Sequence, residues 1–361
     1  MIWYIPMLCI SLLFSELYKK TSKYKTLFLC SSALPFILIS GFRFDVGTDY
    51  MYRYTPDFNW MAQGNDPKNI EIGFKLLMRC ILFFTNHVQV LFFITSLFTL
   101  SIIFYMMFKE TKNPTVSILI FFFGGYFFNS MNILRQYMAM SLLIVAFYFM
   151  IKKEIWKWFL CIILATLFHS TAMIFLLSYI PYYFNFDIKK FVMVVVILFL
   201  VGILVKPILL MLIEMTRFEV YLRGEYARYL QGDFQFIQSL LMMLLSIIYI
   251  FIYYKNEDKL MNNFKAKGYI CLQLLALLFA SYTVSMYIST RFVVFFSIFS
   301  IFGLSLLWEY VQDKKQKTYI GLILSCLFLG SFSYLYLKNN VDEVFPYKYR
   351  FVYNYIQNER S

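Results

Sequence analysis

Long apolar runs, separated by short polar and basic breaks, repeat along the whole chain. Many runs approach the roughly 17–25 residues with which an α-helix crosses the hydrocarbon core of a bilayer. Within lipid each run has to be helical, because a helix satisfies its own backbone hydrogen bonds. The pattern therefore predicts an all-α polytopic membrane protein, one membrane domain over 1–361. It has about twelve transmembrane helices, at 2–18, 26–42, 90–108, 115–128, 132–151, 155–168, 170–186, 190–212, 236–254, 268–287, 291–309 and 318–337.

Lysine clusters follow every odd-numbered span in this assignment. The positive-inside rule places such clusters in the cytoplasm. Both termini are then expected outside the cell's inner (cytoplasmic) membrane. The same orientation makes 43–89 and 213–235 external segments and 338–361 an outer-face tail.

This alternation requires that 71–86 does not cross the bilayer. Glu71, Lys75 and Arg79 recur there at four-residue intervals, which gives a helix one charged stripe and one apolar face. Such a helix is typical of the membrane interface. We therefore expect an interfacial helix at 71–86, and a second external amphipathic helix within 214–235.

Composition supports the membrane assignment and narrows the chemistry. The chain is 61% hydrophobic and 15% charged, whereas soluble domains carry about a quarter charged residues. Its net charge of +13 does not indicate nucleic-acid binding, because the lysines sit in short clusters between apolar runs. All six cysteines fall inside apolar stretches without CxxC spacing, so no metal and no cofactor is implied.

Lysine and arginine are distributed differently. Of the 23 lysines, 18 fall in the predicted cytoplasmic loops, and none of the 10 arginines does. Arginine carries a planar fork of donors that matches phosphate or carboxylate, whereas lysine is a solvated point charge. Arginines on the outer face therefore predict an anion site there. The alternative is that they are ordinary interfacial anchors.

Candidate site residues fall in separate polar segments near the predicted outer face. The first has Arg43 at the mouth of the second span, followed by Asp49 and Tyr50. The second has Arg135 and Gln136 one turn into a span, where a charged side chain is costly and usually faces a partner or an aqueous cavity. Pairing of Arg43 with Asp49 and snorkelling of Arg135 are the alternative interpretations.

Further candidates lie later in the chain. His169 separates two apolar runs, and a histidine can accept a proton near neutral pH, although a lone histidine is often structural. Arg217 and Arg223 lie in the charged segment 214–235, which is either a solvated lid or a surface that binds a polar substrate. Arg291 begins a span and resembles Arg135 in its placement.

These residues, in this order, resemble the EpsG/Wzy-type family of polysaccharide polymerases, which make O-antigen, capsule or exopolysaccharide. The matching stretches are RFDVGTDYMYRY at 43–54, EIGFKLL at 71–77, NILRQYMA at 132–139, LFHSTA at 167–172 and the helix with Arg291. The resemblance covers most of the chain from the second to the eleventh span, and neither 214–235 nor 338–361 contributes to it.

The resemblance implies a metal-independent membrane glycosyltransferase. It would transfer a growing glycan from undecaprenyl diphosphate to the next lipid-linked oligosaccharide unit, at the periplasmic or extracellular face. A chain-length regulator is a further candidate partner. In this interpretation Arg135 and Arg291, supported by Arg43, bind the diphosphate, and the catalytic base is His169, Asp49 or Glu71. The assigned substrate-binding residues also include Tyr50, Gln136, Arg217 and Arg223.

Three other functions suit a polytopic chain of this kind. A flippase for lipid-linked oligosaccharides would need cationic residues through the membrane and two related halves, whereas the charges here concentrate at the outer face. An O-antigen ligase is also an outer-face transferase with Arg and His, typically with one larger external loop. A membrane acyltransferase would carry its intramembrane histidine nearer the N-terminus.

Overall fold

The computed structural model describes residues 1–180, 187–204, 211, 233–283 and 288–349. Within these ranges the chain is helical and forms no named strand. The α-helices are α1 Tyr4–Lys20, α2 Lys25–Gly41, α3 Thr55–Ala62, α4 Ile72–Phe84, α5 Val88–Glu110, α6 Pro114–Phe123, α7 Tyr126–Asn132, α8 Leu134–Ile151, α9 Ile155–Phe168, α10 Ile188–Leu204, α11 Asp233–Lys255, α12 Glu257–Leu260, α13 Phe264–Thr283, α14 Ile288–Ser297, α15 Ser300–Trp308 and α16 Lys314–Phe332. Two π-helical turns, Tyr50–Tyr54 and Ser333–Lys338, and a 3₁₀ helix, Ser170–Ser178, complete the elements.

Six helices in the described residues are long and apolar enough to cross a membrane. They are Val88–Glu110, Leu134–Ile151, Ile237–Lys255, Phe264–Tyr282, Ser289–Trp308 and Lys314–Lys338. The bent pair α6 and α7 would make a seventh span. The all-α membrane architecture is confirmed, but the count of about twelve spans is not.

The difference in span count has a local cause. Helices at two predicted spans, Lys25–Gly41 and Ile155–Phe168, are apolar but have 17 and 14 residues. The predicted span 170–186 begins as the short 3₁₀ helix Ser170–Ser178. The later part of 190–212 and most of 214–235 lie outside the described residues.

The described residues fall into two compact units. The first contains Met1–Met173 and the chain from Phe332 onwards, and the second contains Ile174–Ser331. In the first unit α1 packs on α2, α2 on α5, α5 on α8 and α8 on α9. In the second unit α13 packs against α10, α11 and α14.

Helix α4 follows the interfacial pattern predicted for 71–86. It has only 13 residues and buries Phe74, Met78 and Ile81 on one side. Its last residues, Phe83 and Phe84, are each 84% exposed. This helix is absent from the six that could cross a membrane.

The amphipathic helix α4 joins an aromatic cluster of the first unit. The buried members of this cluster are Tyr50, Tyr54, Phe58, Met61, Phe74, Met78, Ile81, Leu91, Phe92, Leu134 and Met138. The ring of Tyr50 stacks on Phe92 with centroids 4.0 Å apart. The cluster fixes the segment after α2 against α4, α5 and the start of α8.

Candidate functional site

Three helix ends meet in the first unit. Glu71 is the extended residue before α4, Arg135 is the second residue of α8, and His169 is the extended residue after α9. Gly73 brings α4 against the end of α9, since a Cβ at this position would lie 2.7 Å from the Leu167 carbonyl oxygen. A side chain at Gly73 would therefore push the two helix ends apart.

The carboxylate of Glu71 holds the other members of this group. One of its oxygens, Oε2, accepts a hydrogen bond from Nη1 of Arg135. The other, Oε1, lies 3.3 Å from Nδ1 of His169 and accepts the backbone N–H of Ser170 at 3.2 Å. Nη1 of Arg135 also donates to the carbonyl of Asn69 at 3.2 Å. We call Glu71, Arg135 and His169 the carboxylate cluster.

The carboxylate cluster is shielded from solvent. The side chains of Arg135 and His169 are each 8% exposed, and that of Glu71 is 17% exposed. Burial on its own would raise the pKa of Glu71, but the hydrogen bond to His169 and the charge of Arg135 outweigh it and lower this pKa to about 2. Glu71 is therefore an anion at neutral pH that can orient the imidazole and stabilise its protonated form.

Further charged and phenolic groups near Arg135 come from the segment between α2 and α4. The phenol of Tyr54 interacts with Arg135, and burial raises the pKa of Tyr54. Asp49 acts electrostatically on Tyr54. Burial also raises the pKa of Asp57, while Arg53 and Arg135 oppose that shift. Arg53 and Asp57 were not selected from the sequence, and their helical spacing of four residues was the signal for them.

Arg43 is enclosed by protein groups. Its side chain is 0% exposed, and its guanidinium donates to the carbonyl of Ser40 and, at 2.9 Å, to that of Met131. The guanidinium carbon lies 4.7 Å from the centre of the Phe92 ring, which is cation–π distance. Burial lowers the pKa of Arg43 to about 10, so the group is charged at neutral pH. This arrangement fastens the end of α2 to the end of α7.

The structure also locates the other predicted residues. Tyr50 is buried, and its hydroxyl donates to Gln89 at 3.3 Å. Gln136 is buried beside Arg135 in α8. Arg291 lies in α14 of the second unit. Arg217 and Arg223 lie outside the described residues.

No metal centre is formed by the described residues, where no three His, Cys, Asp or Glu side chains are grouped to hold an ion. What the carboxylate cluster offers instead is a histidine with an anionic partner beside a buried guanidinium. That combination suits a reaction in which a hydroxyl loses a proton and a leaving group gains negative charge.

The six helices that could cross a membrane make this chain a polytopic membrane protein, and its ionisable cluster lies at the ends of α4, α8 and α9. The model of the EpsG family matches residues 26–349, so the chain belongs to the EpsG family. Membership of this family points to a role as a polysaccharide polymerase in a membrane. Neither a curated protein nor a solved structure matches the chain.

Proposed function

We propose that this chain is a membrane glycosyltransferase that polymerises lipid-linked oligosaccharide units. It transfers a growing glycan from undecaprenyl diphosphate to the next lipid-linked unit, at the outer face of the cytoplasmic membrane and without a metal. The observation that carries this proposal is the convergence of Arg135 and His169 on the carboxylate of Glu71. Family membership supplies the reaction class.

In this reaction a hydroxyl oxygen of the acceptor sugar forms a bond to the anomeric carbon of the donor glycan. The bond between that carbon and the diphosphate oxygen breaks, and undecaprenyl diphosphate leaves with the electron pair. The hydroxyl proton passes to Nε2 of His169, whose other nitrogen faces Glu71. Ionised Glu71 stabilises the imidazolium, as a carboxylate does behind other catalytic histidines.

Arg135 is assigned to the leaving group. The guanidinium has five N–H donors, and its contacts with Glu71 and Asn69 both use Nη1. Tyr54 also forms a hydrogen bond with the guanidinium. The N–H donors left after these contacts would face the diphosphate as negative charge develops there. Removing one such donor costs about 2.7–4 kcal/mol of transition-state stabilisation in comparable oxyanion sites.

The remaining predicted residues receive narrower roles. Arg43 supports the site by holding Met131, four residues before Arg135. Asp49 is placed by its charge near Tyr54, and it stays the alternative base. Arg291, Arg217 and Arg223 are proposed contacts for the diphosphate or glycan, and Tyr50 and Gln136 line the protein side of the site.

The proposed orientation has support from contacts at both ends of α1. Tyr4, at the start of α1, donates to the carbonyl of Val344 at 3.0 Å. Lys19, at its other end, contacts Asn113 at 3.1 Å, so the basic turns after α1 and α5 lie together. The positive-inside rule assigns that end to the cytoplasm. The chain near Val344 then lies on the outer side.

The test uses a deletion strain complemented with variants. Arg135→Ala and His169→Ala should leave single capped units on the cell surface and no polymer ladder on a gel. His87→Ala is the matched control, because His87 is the chain's other histidine and is exposed. A normal ladder from Arg135→Ala and His169→Ala would refute the proposal. Loss of the single surface units as well, with lipid-linked units retained at the cytoplasmic side, would indicate a flippase instead.

A further inference from the structure

The last described residues of the first unit lie along the residues that follow α2. We call residues 339–349 the C-terminal strap. The backbone N–H of Phe44 donates to the carbonyl of Lys348 at 3.0 Å, and that of Gly47 donates to the carbonyl of Glu343 at 3.1 Å. Lys348 also forms an ion pair with Asp45 at 2.7 Å. The strap is therefore fastened along the segment between α2 and the π-helical turn.

The strap is also braced internally. The side-chain amide of Asn340 donates to the carbonyl of Phe345 at 2.6 Å, and its oxygen accepts the backbone N–H of Phe345 at 3.0 Å. Tyr347 donates from its hydroxyl to the carbonyl of Ile39 at 2.9 Å, which ties the strap to α2. These bonds give the strap a fixed shape, in which the residues between Asn340 and Phe345 form a closed turn.

Asp342 lies at the centre of that turn and is 8% exposed. Its Oδ2 is 3.0 Å from the hydroxyl of Tyr336, and its backbone carbonyl accepts the amide of Asn132 at 3.0 Å. Oδ1 of Asn132 accepts a hydrogen bond from the hydroxyl of Thr48 at 3.3 Å. One asparagine thus joins the strap to the 46–50 segment, and a buried carboxyl holds that junction.

The junction lies close to Arg135 along the chain. Asn132 is the last residue of α7, and α8 begins at Leu134. Arg43 holds the carbonyl of Met131, and the strap holds Asn132. Two consecutive residues are therefore fixed immediately before the helix turn that carries Arg135, so the direction in which α8 starts depends on both anchors.

We propose that Asp342 is a positioning residue for the transferase site, which acts through Asn132 and the start of α8 to place Arg135 against Glu71. The inference rests on the proposed function. Asp342 touches neither substrate nor the reacting atoms. Because a displacement of about 1 Å at a reacting group can lower a rate about a hundredfold, a loosened strap impairs transfer without unfolding the helices.

The experiment compares Asp342→Ala with Asp342→Asn in the complemented deletion strain. Asparagine keeps the shape and a hydrogen-bonding group. Alanine keeps the backbone carbonyl that accepts Asn132 but removes the carboxyl that Tyr336, Asn132 and Asn129 contact. We expect Asp342→Ala to reduce polymer about a hundredfold at normal protein abundance, and Asp342→Asn to restore it. Glu343→Gln is the matched control, because Glu343 is the adjacent acid and its side chain is exposed.

A kinetic readout separates positioning from general damage. Membranes carrying each variant are supplied with lipid-linked repeat units extracted from the host. Asp342→Ala should lower kcat with little change in KM, since Arg135 acts on the leaving group. If Asp342→Ala does not accumulate, Tyr336→Phe is the second variant. It removes one hydroxyl, which contacts Asp342 at 3.0 Å and the carbonyl of Gly125 at 3.2 Å, and it should lower kcat about tenfold, the order of one hydrogen bond.

The outcomes distinguish this inference from the proposed function. Normal polymer from Asp342→Ala, or normal kcat from Tyr336→Phe, would overturn the positioning role while Arg135→Ala remained inactive. Failure of Asp342→Asn to restore the polymer lost in Asp342→Ala would also overturn it as stated. Normal polymer from Arg135→Ala would overturn both proposals together.

Discussion

Nδ1 of His169 lies 3.3 Å from Oε1 of Glu71, although the two residues come from different helices. The same carboxylate pairs with Arg135 through its other oxygen. One side chain therefore sets the orientation of an imidazole and the position of a guanidinium. Its removal should affect both.

Glu71→Gln is expected to abolish polymer and to destabilise the first unit. The amide cannot balance the charge of Arg135, and breaking a buried ion pair from one side costs about 3–5 kcal/mol. Surface polysaccharide gels and thermal unfolding of the purified protein measure the two effects. Glu154→Gln is the control, because Glu154 pairs with Lys157 at the surface and each side chain is 37% exposed. If the two variants showed the same polymer ladder and the same melting temperature, the central role of Glu71 would be contradicted.

Arg135→Lys should be inactive although it preserves the charge. Arg135 contacts Glu71 and Asn69 through one nitrogen, Nη1, and keeps further N–H donors of its planar fork for a diphosphate. Lysine has only a single ammonium for all of these groups. The measurement is the polymer ladder at matched protein abundance. Arg79→Lys serves as the control, since the side chain of Arg79 is 61% exposed and pairs with Asp66. A full ladder from Arg135→Lys would show that charge alone suffices.

The lowered pKa of Glu71 predicts a definite acid response. Its folded value of about 2 lies below the ordinary 4.5, so the stabilisation is present above pH 4.5 and is lost as the pH falls towards 2. The melting temperature of the wild type should therefore exceed that of Glu71→Gln by a constant amount near neutral pH. The difference should shrink between pH 4.5 and about 2. A difference that grew on acidification would contradict the assigned charge.

Asp342 should respond in the opposite direction. Burial raises its pKa above the ordinary 3.8, although hydrogen bonds from Tyr336, Asn132 and Asn129 partly oppose the shift. Asp49 and the phenols of Tyr137 and Tyr336 act electrostatically on the same carboxyl. Stability is then lost as the pH rises through the folded pKa. The melting temperature of Asp342→Asn, relative to that of the wild type, should increase as the pH rises. A difference in melting temperature that does not change with pH would refute this.

Gly47→Ala should impair polymer formation more than Gly64→Ala. Both glycines have positive φ, +97° and +87°, so alanine is strained at either position. At Gly47 the new Cβ would also lie 2.5 Å from Oδ1 of Asn132, whereas nothing lies within 4 Å at Gly64. Gly64→Ala should cost about 1–2 kcal/mol of unfolding free energy with polymer retained. Equal polymer loss in both variants would show that the contact with Asn132 is unimportant.

The helical plan could be predicted from the sequence because apolar runs and helical spacing are local signals. The break between α6 and α7 was harder to place, since 115–128 was predicted as one span. In the structure Gly125 adopts φ +78°, and the two helices meet at a bend of 56°. Adjacent glycines permit such a bend without specifying it.

The site was predictable residue by residue but not as an arrangement. Arg135 and His169 stand out in the sequence as polar side chains within apolar runs, and Glu71 stands out as a carboxylate that could accept a proton. Their meeting depends on the close approach of α4 to α9 at Gly73, which no local pattern encodes. The enclosure of Arg43 by Ser40, Met131 and Phe92 likewise depends on tertiary contacts.

Asp342 was missed altogether. It lies in a polar segment that the sequence describes only as a tail, without periodicity and without resemblance to the quoted motifs. A buried carboxyl is recognised by its neighbours, and these come from α7 and from the second π-helical turn. The spacing of residues along the sequence does not predict such contacts.

The strap has a consequence for biosynthesis. Ribosomes make the chain from its N-terminus, and the segment Ile174–Ser331 of the second unit emerges before residues 339–349. A nascent chain can insert α1 to α9 before Asp342 has been synthesised, so that Asn132 and the 46–50 segment still lack their contacts with the strap. The contacts of the first unit are therefore completed only after the second unit has been synthesised. A translation product arrested before residue 339 would enter the bilayer without the strap.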